Sequence, residues 1–289
     1  MTTLYELNYY QNGFNLMVKK GYEGDEEAVN KLSQEGGSLW DGVYGYALGG
    51  RNELVKKVLV DHPELLPAAA TGYARAKNSK EIANLNGNDD LKAYLAYGYA
   101  LAGNETQVRA ALNSRGGIKY LPLIIEGLAA TNQAALLYEL VDKTRYYPNA
   151  LKAAAKSAQH DLVTGLLDKF SINLKELATA ENPLKSNTQT TLAYVLQGYS
   201  EGRHFEEAAE ILELGVNPMH CLNALAPKGQ LDPTDASLLL STIKKPETRE
   251  KVLKLMESQF RLKSDKLDFE LKLPPRTEGE SYDNILKCS

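Results

Sequence analysis

Small and apolar residues recur along this chain at helical spacing, in blocks separated by short polar turns. The clearest block has Leu91, Tyr94, Leu95, Gly98 and Leu101 on one face and a turn at Ala102-Gly103-Asn104. A second stretch over 105–112 then carries Val108 and Leu112 on one side. This spacing predicts two short helices in a hairpin, closed by Asn113 to Gly117, because glycine and asparagine stop helices. Comparable blocks run from Leu39 to Val60, Leu65 to Leu85, Ile118 to Val141 and Asn149 to Phe170. Pro67, Pro122 and Pro148 fall early in first helices, where a missing backbone N–H leaves nothing unpaired.

Within the first helices one phrase returns. It reads Gly45-Tyr46-Ala47, Gly72-Tyr73-Ala74 and Gly98-Tyr99-Ala100, with echoes at Gly127-Leu128-Ala129, Ala153-Ala154-Ala155 and Gly198-Tyr199-Ser200. Ten residues after each start sits Val55, Ile82, Val108, Leu137, Val163 or Ala208, and the starts lie 27, 26, 29, 26 and 45 residues apart. A period in this range predicts a solenoid, in which each unit buries its face only against its neighbours. Gly or Ala opening the phrase, and Ala or Ser two places on, predict seams where adjacent first helices approach closely.

The fold class expected is therefore all-α: a solenoid of stacked helix-turn-helix repeats with helical caps. Residues 1–38 read as capping helices, the first carrying Leu4, Leu7, Phe14 and Met17. The repeats occupy 39–245. The last interval, about 19 residues longer than the 26-residue step, places an insertion near 171–191, containing a short helix from Leu174 and the polar run Lys185 to Thr191. Such an insertion is either a passive loop or part of a binding face. Residues 246–275 read as a capping helix and a stretch with period-two alternation at Leu267, Phe269, Leu271 and Leu273. That stretch is extended or continues the helix. Residues 276–289 form a polar tail.

Composition narrows the function classes. A net charge of −4 gives no basic footprint for nucleic acid. No stretch approaches the roughly 20 apolar residues that span a bilayer, so membrane insertion is not expected. Two cysteines, Cys221 and Cys288, make no disulfide framework, and a cytoplasmic home is expected. Tyrosine is abundant, 17 residues against 5 phenylalanines, which suits half-buried positions and partner-binding surfaces.

The stretch from Ser200-Glu201-Gly202-Arg203-His204 through Ala208, Ile211-Leu212 and Gly215-Val216-Asn217-Pro218 resembles the second-helix pattern of the ankyrin-repeat superfamily. Residues 158–173 and 48–59 are similar. The resemblance covers roughly 39–243 and implies helix-pair stacking and protein binding. The family's Thr-Pro-Leu-His opening is missing, and most units fall short of its usual length of about 33 residues. Shortened loops between units are therefore implied. The tail, Arg276 to Ser289, is similar to translocation signals on effectors of intracellular bacterial pathogens, which implies secretion into a host cell.

Catalytic chemistry finds little footing. His160 and His204 fall at turn positions where the ankyrin pattern carries a structural histidine. His220-Cys221 lacks the further ligands of a zinc site and an orienting third residue for a thiol nucleophile. Gly36-Gly37 and Gly49-Gly50 lack the lysine of a phosphate-binding loop. No metal or cofactor is expected, and the chain is not read as an enzyme. What remains is a surface. Tyr44, Tyr97, Glu126, Lys152 and Gln197, each just before a phrase, form a row of partner-binding candidates on the first-helix face. The reading favoured is a protein–protein interaction module that binds and regulates a protein partner. The alternatives are a secreted effector that neutralises an enzyme, and an enzyme without recognisable motif built on the insertion.

Overall fold

The computed structural model describes residues 9–11, 14–85, 87–179 and 184–273. The tail at 276–289 and the residues Leu4 and Leu7 lie outside them. Among the described residues the fold is all-α, without strands. Helices come in pairs: α1 (Leu16–Glu23) with α2 (Glu26–Gln34), α3 (Leu39–Leu48) with α4 (Asn52–Asp61), α5 (Leu66–Arg75) with α6 (Ser79–Leu85) and α7 (Lys92–Leu101) with α8 (Glu105–Asn113). Then follow α9 (Leu121–Ala130) with α10 (Ala134–Thr144) and α11 (Tyr147–Lys156) with α12 (His160–Asp168). A short α13 (Leu174–Thr179) precedes α14 (Ser186–Glu201), α15 (Phe205–Glu213), α16 (Met219–Leu225), α17 (Pro233–Thr242) and α18 (Pro246–Phe260). None of these helices is long and apolar enough to cross a membrane.

The packing order follows the chain. α1, α3, α5, α7, α9, α11, α14 and α16 pack side by side in one row, and each second helix packs on its own first helix. First helices are buried over much of their surface: Ala68 to Arg75 of α5 are all buried. The second helices bury less early in the row than late in it: α12 buries Leu162, Val163, Leu166 and Leu167, and α15 buries Phe205, Ala208, Ala209, Ile211 and Leu212. α4 and α8 each bury one side chain, Val55 and Val108. The positions ten residues into each block form this outer contact. Val55, Val108, Leu137, Val163 and Ala208 are buried, and Ile82 is half-buried.

The seams lie where the phrase predicts them. A Cβ placed on Gly72 would meet the Tyr44 carbonyl oxygen at 2.5 Å and the Ala47 Cβ at 2.7 Å. On Gly98 it would meet the Thr71 oxygen at 2.4 Å and the Ala74 Cβ at 2.6 Å. Each glycine thus touches the carbonyl just before the preceding phrase and that phrase's alanine. Backbone thus packs on backbone at these seams, with no room for a side chain between them.

Every pair also turns in the same way. The fifth residue after each phrase start, and Gly24 before the first phrase, is left-handed: φ is 81° at Gly24, 68° at Gly50, 55° at Lys77, 61° at Gly103, 55° at Asn132, 57° at Ala158 and 60° at Arg203. The following N–H bonds back five residues, as from Asn78 to Tyr73 O (2.9 Å), Asn104 to Tyr99 O (2.9 Å) and His204 to Tyr199 O (2.8 Å). This satisfies carbonyls that the helix C-terminus would leave unpaired. A side chain costs about 1–2 kcal/mol in the left-handed region, so the turn recurs at four non-glycine sites because stacking holds it.

Three expectations change. Phe14 is not in the first helix. Residues 9–11, 14 and 15 lie outside any helix, and α1 starts at Leu16, where the Asn15 side chain caps the Val18 N–H (3.0 Å) and donates to Asp41 (2.7 Å). The polar run Ser186 to Thr191 is the first turn and a half of α14, not a loop. Its Thr190 and Thr191 hydroxyls donate to the carbonyls four residues back, both at 3.0 Å. α14 packs on α11 and Gly198 abuts Lys152 and Ala155, so the row passes straight over the extra residues and leaves α13 outside it. The alternating stretch after α18 is neither one strand nor more helix. Leu267 is buried and Leu271 and Leu273 pack on the core, while a turn at 268–271 leaves Phe269 exposed.

Candidate functional site

The residues before each phrase end up in different environments. Tyr44 is buried, stacks on Trp40 with ring centroids 5.7 Å apart, and accepts a hydrogen bond from Arg75 Nη1 at 2.5 Å. Tyr97 and Glu126 are half-buried. Lys152 is half-buried and pairs with Glu201 at 2.7 Å. Gln197 is half-buried and meets His220 at 3.3 Å. Tyr44, Tyr97 and Glu126 share electrostatic surroundings with one residue, Tyr10, while Lys152 and Gln197 lie with partners of their own.

Tyr10 belongs to the extended stretch that precedes α1. Its N–H donates to Gly202 O at 3.2 Å, and its carbonyl accepts from His204 Nε2 at 2.8 Å. Its ring lies under the Lys156 ammonium, 5.1 Å from the centroid. Its hydroxyl shares electrostatic surroundings with Tyr44, Asp41, Arg75 and Glu126. Burial there pushes the Tyr10 and Tyr97 hydroxyls well above their ordinary range, so both stay neutral at physiological pH. Asp41 is also pushed up by burial, against the opposing pull of the Asn15 hydrogen bond and the Lys156 charge.

These neighbours come from α3, α5, α7, α9 and α11 and from the turn after α14. A straight row cannot bring five successive helices to one side chain, so the row bends around Tyr10. Phe14 anchors the chain nearer α1. It is fully buried, and the Arg75 guanidinium sits 4.3 Å from its ring centroid. Gln11 and Phe14 exchange two backbone hydrogen bonds of 2.9 Å. Beside Phe14 and Arg75 the C-terminal ends of α1, α3, α5, α7 and α9 line a cavity of about 590 Å³, with Tyr22, Leu48, Leu101 and Thr131 among its walls.

His204 has a role that repeats along the chain. Its Nε2 lies 3.1 Å from the Lys156 carbonyl as well as 2.8 Å from that of Tyr10. Two facing carbonyls fix the neutral ring's proton on Nε2. Gln159 Nε2 reaches Ala130 O at 3.3 Å, and Arg51 Nε reaches Tyr22 O at 3.3 Å. All three carbonyls stand two residues before the left-handed residue of the preceding pair, and each is an acceptor at a helix end. The position equivalent to His204 is therefore Gln159. His160 falls one residue later and meets Tyr199 OH at 3.1 Å and Glu207 at 3.5 Å.

Burial is the largest cause of a lowered His204 pKa, about 4 against the usual 6.5. Glu207 and the two carbonyls oppose the shift, and His160 adds to it. The folded chain resists protonation here while the unfolded chain takes up a proton near pH 6.5. The stability this group contributes is thus whole above that pH, falls as pH drops, and levels off below about 4. Urea unfolding at pH 7, 5.5 and 4 should show the fall. In His204→Gln, which keeps an N–H donor, the fall should be shallower; an equal slope in both chains would assign the acid sensitivity elsewhere.

Other clusters show little chemistry. Cys221 is fully buried and burial pushes its thiol up to about 12, so no thiolate forms at neutral pH. Among the described residues no group of three His, Cys, Asp or Glu side chains is placed to hold a metal ion. A cavity of about 270 Å³ between α14 and α16 is lined by Ser186, Gln189, Thr190, Gln197, Asn217 and His220 among others, with no carboxylate in its wall.

The reading from sequence missed Arg75, Lys156 and Tyr10. Arg75 and Lys156 share one signal: both stand directly after a phrase, where Leu48, Leu101 and Ala130 follow the equivalent phrases. Comparison with family models, with curated proteins and with solved structures finds no match for this chain.

Proposed function

We propose that the chain is an ankyrin-like solenoid of helix pairs that works as a protein–protein interaction module, binding and regulating a protein partner through its first-helix face. One observation carries this reading: that face engages a stretch of polypeptide backbone. The Tyr10 peptide groups are met by Gly202 O and His204 Nε2, and its ring by Lys156. A surface with paired backbone donor and acceptor, ringed by amphipathic side chains, suits recognition of an extended chain. The shared turn and the backbone seams support the solenoid, since both repeat with the phrase.

The test is a paired affinity purification from the native cell, read by mass spectrometry, with the unaltered chain and Tyr97→Phe/Lys152→Ala. These changes remove one hydroxyl and one ammonium and leave the seams alone. A specific partner should drop at least ten-fold in the variant at an unchanged melting temperature. Capture at full affinity would exclude this face.

A further inference from the structure

We propose that Tyr9 and Tyr10 are a resident ligand held in cis, and that their seats take in trans an extended segment of a partner protein carrying two adjacent aromatic residues, the second a tyrosine. The inference rests on the reading of the first-helix face as a binding surface and names what that surface takes.

The seats are defined by what now fills them. The first is the edge of the His204 ring, against which Tyr9 stands at 5.0 Å between centroids and 68° between planes. The second lies under the Lys156 ammonium, which faces the Tyr10 ring as cations face aromatic rings generally. At its far end the hydroxyl shares electrostatic surroundings with Tyr44, Arg75, Tyr97 and Glu126, polar groups beside which a hydroxyl tip is better matched than an aliphatic one. Gly202 O and His204 Nε2 meet the N–H and carbonyl of one residue, which reads backbone and demands no further side chain. The partner segment is therefore specified by an aromatic pair and an extended backbone.

The two ends of the resident segment are held differently. Phe14 is fully buried, lies in the core cluster with Met17 and Val43, and anchors the chain. Tyr9, Tyr10 and Gln11 are only half-buried. Ring contacts, and two hydrogen bonds to a turn about 190 residues away in sequence, help to hold Tyr9 and Tyr10. Such contacts can be exchanged for identical ones from another chain while Phe14 and α1 stay in place. An intramolecular ligand raises the apparent threshold for the partner, because the seats are free only in the fraction of molecules whose segment has lifted.

The probe is a fluorescein-labelled peptide with the sequence of residues 6–15, and the proteins are the full chain and its Tyr9→Ala/Tyr10→Ala variant. Fluorescence anisotropy should show the peptide binding the variant at least ten-fold more tightly than the unaltered chain. A peptide with both tyrosines replaced by alanine should not bind. Equal affinity for both chains, or no binding to a variant that retains helicity, overturns the proposal. Should the variant lose its fold, hydrogen exchange on the unaltered chain decides: excess peptide should deprotect the Tyr10 amide, and unchanged protection overturns it. Light scattering that shows a dimer dependent on Tyr9 and Tyr10 would assign the seats to a second copy, again overturning it. Peptide binding together with undiminished partner capture by Tyr97→Phe/Lys152→Ala would keep the seats and remove the wider face; the reverse pair of results would remove the seats alone.

Discussion

Asp235→Ala is expected to destabilise the chain by about 3–5 kcal/mol, the largest effect of any single change considered. Asp235 is fully buried, and its Oδ2 lies 3.1 Å from Arg203 Nη2, itself nine-tenths buried. Burial raises the Asp235 pKa and Arg203 opposes the rise, so desolvation outweighs attraction at the carboxylate. The pair is also incompletely satisfied, with Asp235 Oδ1 and Arg203 Nε making no hydrogen bond. Such a pair is fragile in one direction only. Removing the carboxylate strands the guanidinium, whereas replacing both by apolar residues of similar volume is often nearly neutral. Arg203→Met/Asp235→Leu should therefore cost less than Asp235→Ala alone. A urea-unfolding double-mutant cycle tests this, and strictly additive costs would show that the two side chains do not act as a unit. Arg203 sits in the left-handed turn after α14 and Asp235 in the first turn of α17, so the pair ties the last helices to the row.

Gly198→Ala is expected to cost about 2–3 kcal/mol, although alanine on an exposed helix would gain about 1 kcal/mol over glycine. The sign reverses because the new Cβ would lie 2.2 Å from the Lys152 carbonyl oxygen and 2.7 Å from the Ala155 Cβ. Both obstacles are too short to swing away, so α14 must lift from α11, and every later helix follows. Gly50 differs in kind: nothing lies within 4 Å of an added Cβ, and a side chain there meets only the cost of its left-handed backbone, φ 68°. A Gly198→Ala chain with an unchanged unfolding midpoint would mean that the seam opens freely and that the phrase glycines are not packing residues.

Much of the candidate site was legible as register and little as contact. The spacing alone places the residues before each phrase on the first helices, and Tyr44, Tyr97 and Glu126 share the electrostatic surroundings of Tyr10. The spacing predicts a capping helix through Tyr10, because Phe14 and Met17 fit helical spacing with Leu4 and Leu7. That pattern is equally satisfied by an anchor followed by a helix start. Asn15 decides between them by capping Val18 and reaching Asp41, a residue 26 positions away. The polar run at 186–191 misled in a related way. Serine, threonine and asparagine favour turns locally, but here they extend a helix whose later turns are fixed by packing on α11.

The sequence by itself determined the helix pairs, their turns and the glycine seams, because each follows from spacing within about thirty residues and repeats until chance is excluded. Only the tertiary structure decided how the row bends and what lies against it. The bond between Tyr10 and His204 joins residues 194 apart, occurs once, and leaves no period to read; it forms because backbones that close at every seam curve the first helices around a single short segment.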